Sequence, residues 1–273
     1  MLTVNLTTTF QRLGRCRSAL TSLLLQSQVP DQINLWVSRE PYLRDSGISD
    51  ERAIEEMLKS LLPLDIEKVC VRWVSNTGPY RKLIPILREA GPNDIIVTAD
   101  DDIFYGREWL ALLLDDFDPQ KKVAIAGRVR RKSLNKLGQM TSYSHWRLIR
   151  DEVCLESDYL VTFGGGAALT RAMFLDADVQ DDSFLNISPT ADDLWYTKLL
   201  ERSGTSVYVK PEVLSQLDFI FHNDGLDNHN FVKKSSVFVK ALLRLWSNGA
   251  GYFGGSVSNN DRFYKAIERY FSA

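Results

Sequence analysis

Ile95-Ile96-Val97-Thr98-Ala99-Asp100-Asp101-Asp102-Ile103-Phe104 is a short β-branched run that ends in three carboxylates. Gly91-Pro92-Asn93-Asp94 precedes it as a turn signal, so the run reads as a buried strand. Three acids at the end of such a strand cannot stay buried and ionised without counter-charge; each desolvated carboxylate costs roughly several kcal/mol. In open α/β sheets, ligands sit at the carboxyl ends of the strands. Asp100 and Asp102 therefore read as a hard-oxygen site for Mg²⁺ or Mn²⁺, shared with a phosphate. The plainer alternative is a solvated acidic turn capping a helix over Arg107 to Leu114.

The chain before this stretch alternates in kind. Leu2 to Phe10 is β-branched, Cys16 to Gln28 carries leucines at helical spacing, and Ile33 to Ser38 is again a strand pattern. Such a β-α-β unit predicts a parallel sheet. Its first loop holds Thr7, Thr8, Thr9, Arg12 and Arg15 at the same sheet end as the acids. These are either anion- and nucleotide-binding groups or a surface loop with solvated arginines. Ser49 to Leu62 predicts an amphipathic helix, and Val69 to Val74 a third strand. Gly78-Pro79-Tyr80-Arg81-Lys82-Leu83 is a turn followed by a basic helix start, a pattern suited to phosphate.

The second half is less regular. Arg130 to Asp158 is basic and aromatic, and no residue in it can be assigned. Gly164-Gly165-Gly166 follows a strand over Tyr159 to Phe163 and permits close backbone approach or positive φ. It is neither a P-loop nor a dinucleotide fingerprint. Thr190-Ala191-Asp192-Asp193 opens a helix, and one of its two acids exceeds the needs of capping. Asp115-Asp116-Phe117-Asp118-Pro119 reads as a solvated turn. His222 and His229 lie in a polar tail that a last amphipathic helix, Arg262 to Phe271, follows.

Composition sets bounds. The chain has 273 residues, 44% of them hydrophobic and 25% charged, enough for one large soluble domain. A net charge of -2 gives no strong field for nucleic acid. Cys16, Cys70 and Cys154 have neither zinc nor disulfide spacing, which fits a reducing compartment. No apolar run is long enough to span a membrane, and the amino terminus lacks the pattern of a signal peptide.

In order and spacing these motifs resemble the GT-A fold glycosyltransferases, family-two-like, of bacterial capsule and lipopolysaccharide assembly. The resemblance covers residues 1 to 210: strand one, the Gly78-Pro79-Tyr80-Arg81-Lys82 element, the DxD motif at Asp100-Asp101-Asp102, the glycine stretch and the Asp192-Asp193 helix. Strand two departs from it, ending in Val37-Ser38-Arg39-Glu40-Pro41 where many members carry Asp-Asp-Gly-Ser.

The resemblance implies an α/β, Rossmann-like domain with a mixed, mostly parallel sheet flanked by helices. Residues 1–129 would form the nucleotide-binding half, 130–210 the acceptor half and 211–273 a helical tail. It implies an inverting, metal-dependent sugar transfer from a nucleotide-sugar, UDP-sugar favoured, to a saccharide or lipid-linked saccharide. Thr7, Thr8, Thr9, Arg12, Arg15, Ser38, Tyr80, Lys82, Asp100 and Asp101 would meet the nucleotide. Gly164, Gly165 and Gly166 would meet the donor sugar. Asp102, with Asp100 and with His222 or His229, would hold Mn²⁺ or Mg²⁺. Asp193, partnered by Asp192, would be the general base, with the order of the two acids open. The expected location is the cytoplasm, with peripheral association at the inner face of the cytoplasmic membrane. The rivals are a sugar-phosphate nucleotidyltransferase, which lacks its glycine-rich loop here, and a non-catalytic nucleotide-sugar binding module.

Overall fold

The expected strand runs Leu2–Thr7 (β1), Gln32–Val37 (β2), Val69–Trp73 (β3) and Ile95–Thr98 (β4) lie side by side in parallel, in the order β3-β2-β1-β4. Leu13–Leu24 (α1), Arg52–Lys59 (α2) and Ile84–Glu89 (α3) supply the crossovers. The computed structural model describes residues 1–220 and 249–272 of this chain.

After the acids the chain departs from the sequence expectation. Ile103–Tyr105 (β5) forms a strand before the helix Trp109–Leu114 (α4), so the acids do not cap that helix. Val123–Ala126 (β6) then joins the central sheet. The segment that could not be assigned builds Val129–Arg131 (β7), Arg147–Leu148 (β8) and Val153–Leu155 (β9). Tyr159–Val161 (β10) pairs with β7, and β7 with β8, as a separate three-stranded antiparallel sheet.

The glycine stretch leads into a strand, Ala167–Thr170 (β11), and not into a helix. β11 is antiparallel and lies between β4 and β6. Asp176–Val179 (α5), Phe184–Ile187 (α6) and Asp192–Arg202 (α7) follow, then Ser206–Val209 (β12), Leu217–Phe219 (β13) and the final helix Asn259–Ser272 (α8). Among the described residues the large sheet has eight strands in the order β3-β2-β1-β4-β11-β6-β12-β9, with β12 parallel to β6. This is the mixed, mostly parallel, Rossmann-like α/β arrangement expected from the sequence.

Two apolar clusters cover the two faces of the sheet. β1 contributes Val4 and Leu6 to one of them. Between them Asn5 points to the other face, where it is buried but satisfied. Its Oδ1 accepts from Asn34 Nδ2 at 2.9 Å and from Trp36 Nε1 at 3.1 Å. The three cysteines are free. Among the described residues no helix is long and apolar enough to cross a membrane.

Candidate active site

β4 ends at Thr98, and its alternation carries into the acids. Asp100 and Asp102 remain accessible, with side chains 37% and 24% exposed, while Asp101 turns inward. Asp101 accepts a hydrogen bond from Thr8 Oγ1 at 2.6 Å and pairs with Arg12 Nη2 at 2.7 Å. Burial pushes its carboxyl up to about 7 despite the pull of Arg12. The same guanidinium reaches Asp102 at 2.5 Å. Thr8 and Arg12, expected at the nucleotide, thus fasten the strand-one loop to the acids. Thr7 donates to the Trp36 carbonyl at 2.8 Å, which leaves it in the sheet. Thr9 precedes a 3₁₀ turn over Phe10–Arg12, and Arg15 is half-buried at the start of α1. Ser38 is buried and accepts from the Glu40 N–H at 3.1 Å, ordering the turn after β2.

The Gly78–Lys82 element is a 3₁₀ turn whose three large side chains take three directions. Tyr80, expected at the nucleotide, faces the core instead. It is fully buried, its ring 4.1 Å from that of Phe184 and its hydroxyl donating to the Ser188 carbonyl at 2.7 Å. Arg81 is buried beside Asp45, at 2.8 Å, and donates to the Thr8 carbonyl at 3.3 Å. Lys82 is the bridge. Its ammonium lies 2.9 Å from Asp100 and 3.0 Å from Asp192. Burial opposes its charge, but Asp100, Asp192 and Asp193 outweigh burial and raise its pKa well above the usual lysine value.

The glycine turn closes over the acids. A Cβ at Gly164 would stand 1.8 Å from Asp100 Oδ2, so this position accepts no side chain without displacing the carboxylate. Gly166 has φ +101°, and a Cβ there would meet the Trp109 indole at 2.8 Å. The close approach that the glycines permit is therefore to Asp100 and Trp109. Tyr105 and Trp109, which sequence reasoning did not single out, fix this turn. The Tyr105 hydroxyl accepts from the Asp100 N–H at 2.7 Å and donates to the Gly164 carbonyl at 2.8 Å. Trp109 Nε1 donates to the Gly165 carbonyl at 3.3 Å. The only signal for them in the chain is a pair of aromatics shortly after the acids.

α7 begins at the site. Asp192 is buried against Lys82, and Asp193 Oδ1 accepts from the Phe163 N–H at 3.0 Å. Burial first, then the neighbouring Asp192, pushes the Asp193 carboxyl up to about 7, with Lys82 pulling the other way. A carboxyl raised in this way titrates in the range suited to a base at neutral pH. In an unfolded chain its pKa is near 4. Between about 4 and 7 the folded protein therefore binds more protons than the unfolded one, and stability falls as pH rises through that window. Each tenfold gain in proton affinity on folding is worth about 1.4 kcal/mol. The expected outcome is that Asp193→Asn has a flatter profile of melting temperature against pH over this range than the parent chain. Equal slopes would show that Asp193 titrates in the ordinary carboxylate range.

A divalent cation at Asp100 and Asp102 would find carboxylates already facing cationic side chains, Lys82 at Asp100 and Arg12 at Asp102. Among the described residues no group of three or more His, Cys, Asp or Glu could hold a metal ion. His222 and His229 lie outside the described residues. Two accessible carboxylates fit a Mg²⁺ or Mn²⁺ shared with a ligand's phosphates, since Mg²⁺ commonly uses one or two carboxylates plus substrate phosphate. The second acidic cluster is the solvated turn expected from the sequence: Asp115 and Asp116 are exposed, and they meet the buried Lys210 ammonium at 3.1 and 2.7 Å.

No family model and no curated protein matches the chain. Among solved structures it is similar to 4-diphosphocytidyl-2C-methyl-D-erythritol synthase from Anaerococcus prevotii. The identity is 13%, over 89% of this chain and 95% of that one, with a TM-score of 0.49. It is similar to the Francisella tularensis 2-C-methyl-D-erythritol 4-phosphate cytidylyltransferase (IspD) at 12% identity, over 84% and 98% of the two chains, with a TM-score of 0.46. A third is S. aureus TarS 1–349, at 15% identity over 76% of this chain and 57% of that one, with a TM-score of 0.45.

Proposed function

We propose that the chain is an inverting, metal-assisted glycosyltransferase that moves a sugar from a nucleotide-sugar, UDP-sugar favoured, to a hydroxyl of a saccharide or lipid-linked saccharide. The observation that carries this reading is the Lys82 ammonium, which touches Asp100 at the end of β4 and Asp192 at the start of α7. One buried cation thus couples the acids suited to a diphosphate with the helix that carries a candidate base.

In this reading Asp193 removes the acceptor proton. Its Oδ1 is held by the Phe163 N–H, and its second oxygen would take the proton of the incoming hydroxyl. The acceptor oxygen forms a bond to the anomeric carbon as the bond from that carbon to the diphosphate oxygen breaks. The proton ends on Asp193, the nucleoside diphosphate leaves and the anomeric centre inverts. Asp102 and Asp100 would hold the cation; when bound, it supplies Lewis-acid neutralisation of the departing phosphate. Lys82 adds a fixed positive charge at the same end of the site, already oriented before reaction.

Thermal unfolding tests the reading. UDP with Mn²⁺ is expected to stabilise the chain, by about 2.7 kcal/mol at a hundredfold excess over Kd. Asp102→Ala is expected to remove the metal-dependent part of that stabilisation. Stabilisation only by a nucleoside triphosphate with a sugar phosphate would replace the proposal by a nucleotidyltransferase. Absence of any stabilisation with nucleotides or nucleotide-sugars would remove both.

A further inference from the structure

The small sheet β10-β7-β8 carries charges that no described residue neutralises. Arg131 on β7 stands directly opposite Arg147 on β8, and both are exposed. Like charges in this register weaken strand pairing. Among the described residues neither guanidinium has an ion-pair partner, and Lys136 and Arg150 are exposed in the same segment. The acids of that segment, Asp151, Glu156 and Asp158, make no ion pair with them either.

β7 runs on into an ordered hairpin. Leu134 bridges Met140, and the Thr141 N–H donates to the Ser133 carbonyl at 2.9 Å. The Asn135 side chain accepts from the N–H groups of Leu137 and Gln139 at 2.9 and 3.0 Å, and donates to the Tyr252 carbonyl at 3.0 Å. This built tip presents Leu134 at 61% and Leu137 at 70% exposure, with Phe253 at 60% next in the chain to Tyr252. The fold spends several hydrogen bonds to hold large apolar side chains in water. A phosphate backbone would use the arginines but has no use for the leucines. An anionic bilayer uses both, with apolar groups at the acyl boundary and cations at the headgroups.

We propose that Leu134, Leu137 and Phe253 form a membrane-seating tip, with Arg131, Lys136 and Arg147 holding anionic lipid headgroups. This surface is independent of the proposed reaction.

Sedimentation of the full chain with vesicles tests it. The chain is expected to bind phosphatidylcholine vesicles containing phosphatidylglycerol at least about tenfold more tightly than pure phosphatidylcholine, and added salt is expected to shrink the difference. Leu134→Ser with Leu137→Ser is expected to lower partitioning by at least about tenfold. Arg131→Ser with Arg147→Ser is expected to lower the preference for phosphatidylglycerol by about tenfold. All four positions are exposed, so unchanged melting temperatures check that the variants fold. Failure of the parent chain to sediment with phosphatidylglycerol vesicles overturns the proposal. So does binding indifferent to both variant pairs. Binding of duplex RNA through the arginine pair without vesicle binding would make the patch a nucleic-acid surface instead.

Discussion

Replacing Asp193 by Asn lowers the turnover number for sugar transfer by about 10²–10⁴-fold, the usual share of a general base. The substitution keeps the side chain's size and its acceptor oxygen for the Phe163 N–H, so the start of α7 stays in place. What it removes is the proton acceptor. In the parent chain the carboxyl titrates at about 7, because burial and Asp192 raise it while Lys82 lowers it. The carboxylate is the active form, so kcat/KM rises as pH increases through about 7 and levels off above it. Asp193→Asn loses that rise along with the rate. Stabilisation by nucleoside diphosphate and Mn²⁺ stays intact, since Asp193 is not one of the proposed cation ligands. Steady-state kinetics against pH, beside thermal unfolding with ligand, separates these outcomes. A variant with parental turnover would end the base assignment, whereas lost ligand stabilisation would mark a structural role.

Lys82→Met has the second large effect, on folding as well as on transfer. The ammonium sits 2.9 Å from Asp100 and 3.0 Å from Asp192, and its side chain is almost wholly buried. Met fills much the same volume but leaves the acids without their shared cation. Removing one partner of a buried pair costs about 3–5 kcal/mol; here the charge left buried and unpaired is Asp192, while water screens the accessible Asp100, so the loss lies toward the lower end. For a domain of this size the melting temperature falls by roughly ten degrees. Protonating the acids relieves the penalty, so the deficit shrinks as pH is lowered. Adding Asp192→Asn to Lys82→Met recovers part of the loss, and the double-mutant cycle measures the coupling. Equal melting temperatures for Lys82→Met and the parent chain, at neutral pH, would deny the bridge. Normal stability with lost transfer would keep a chemical role for the lysine and reject its structural one.

The alternation of β-branched and leucine-rich runs up to β4 was readable because each run is longer than its neighbours' perturbations, and period alone decides its type. The acids at the end of β4 were readable for the same reason: a strand that buries itself cannot hide three carboxylates. β11 was not. Ala167-Ala168-Leu169-Thr170 is short and small, and only its place between β4 and β6 makes it a strand. Tyr80 is a similar case. Beside basic residues its aromatic ring suggests a ligand, but contact with Phe184 and Ser188, more than a hundred residues later, makes it core.

By itself, then, the sequence determined the α/β class, the parallel direction of the first strands and the place of the strand-one loop at the same sheet end as the acids; for the glycine stretch and the Asp192-Asp193 helix only the resemblance implied a place at the site. It could do so because periodicity and turn residues act over a few neighbouring positions. Only the tertiary structure decided how those segments divide their work. Asp101 faces inward to Thr8 and Arg12, Lys82 joins Asp100 to Asp192, and Gly164 leaves room for the Asp100 carboxylate. Each of these depends on distances between residues far apart in the chain, and through burial and neighbouring charge such distances push the Asp101 and Asp193 carboxyls up toward neutrality.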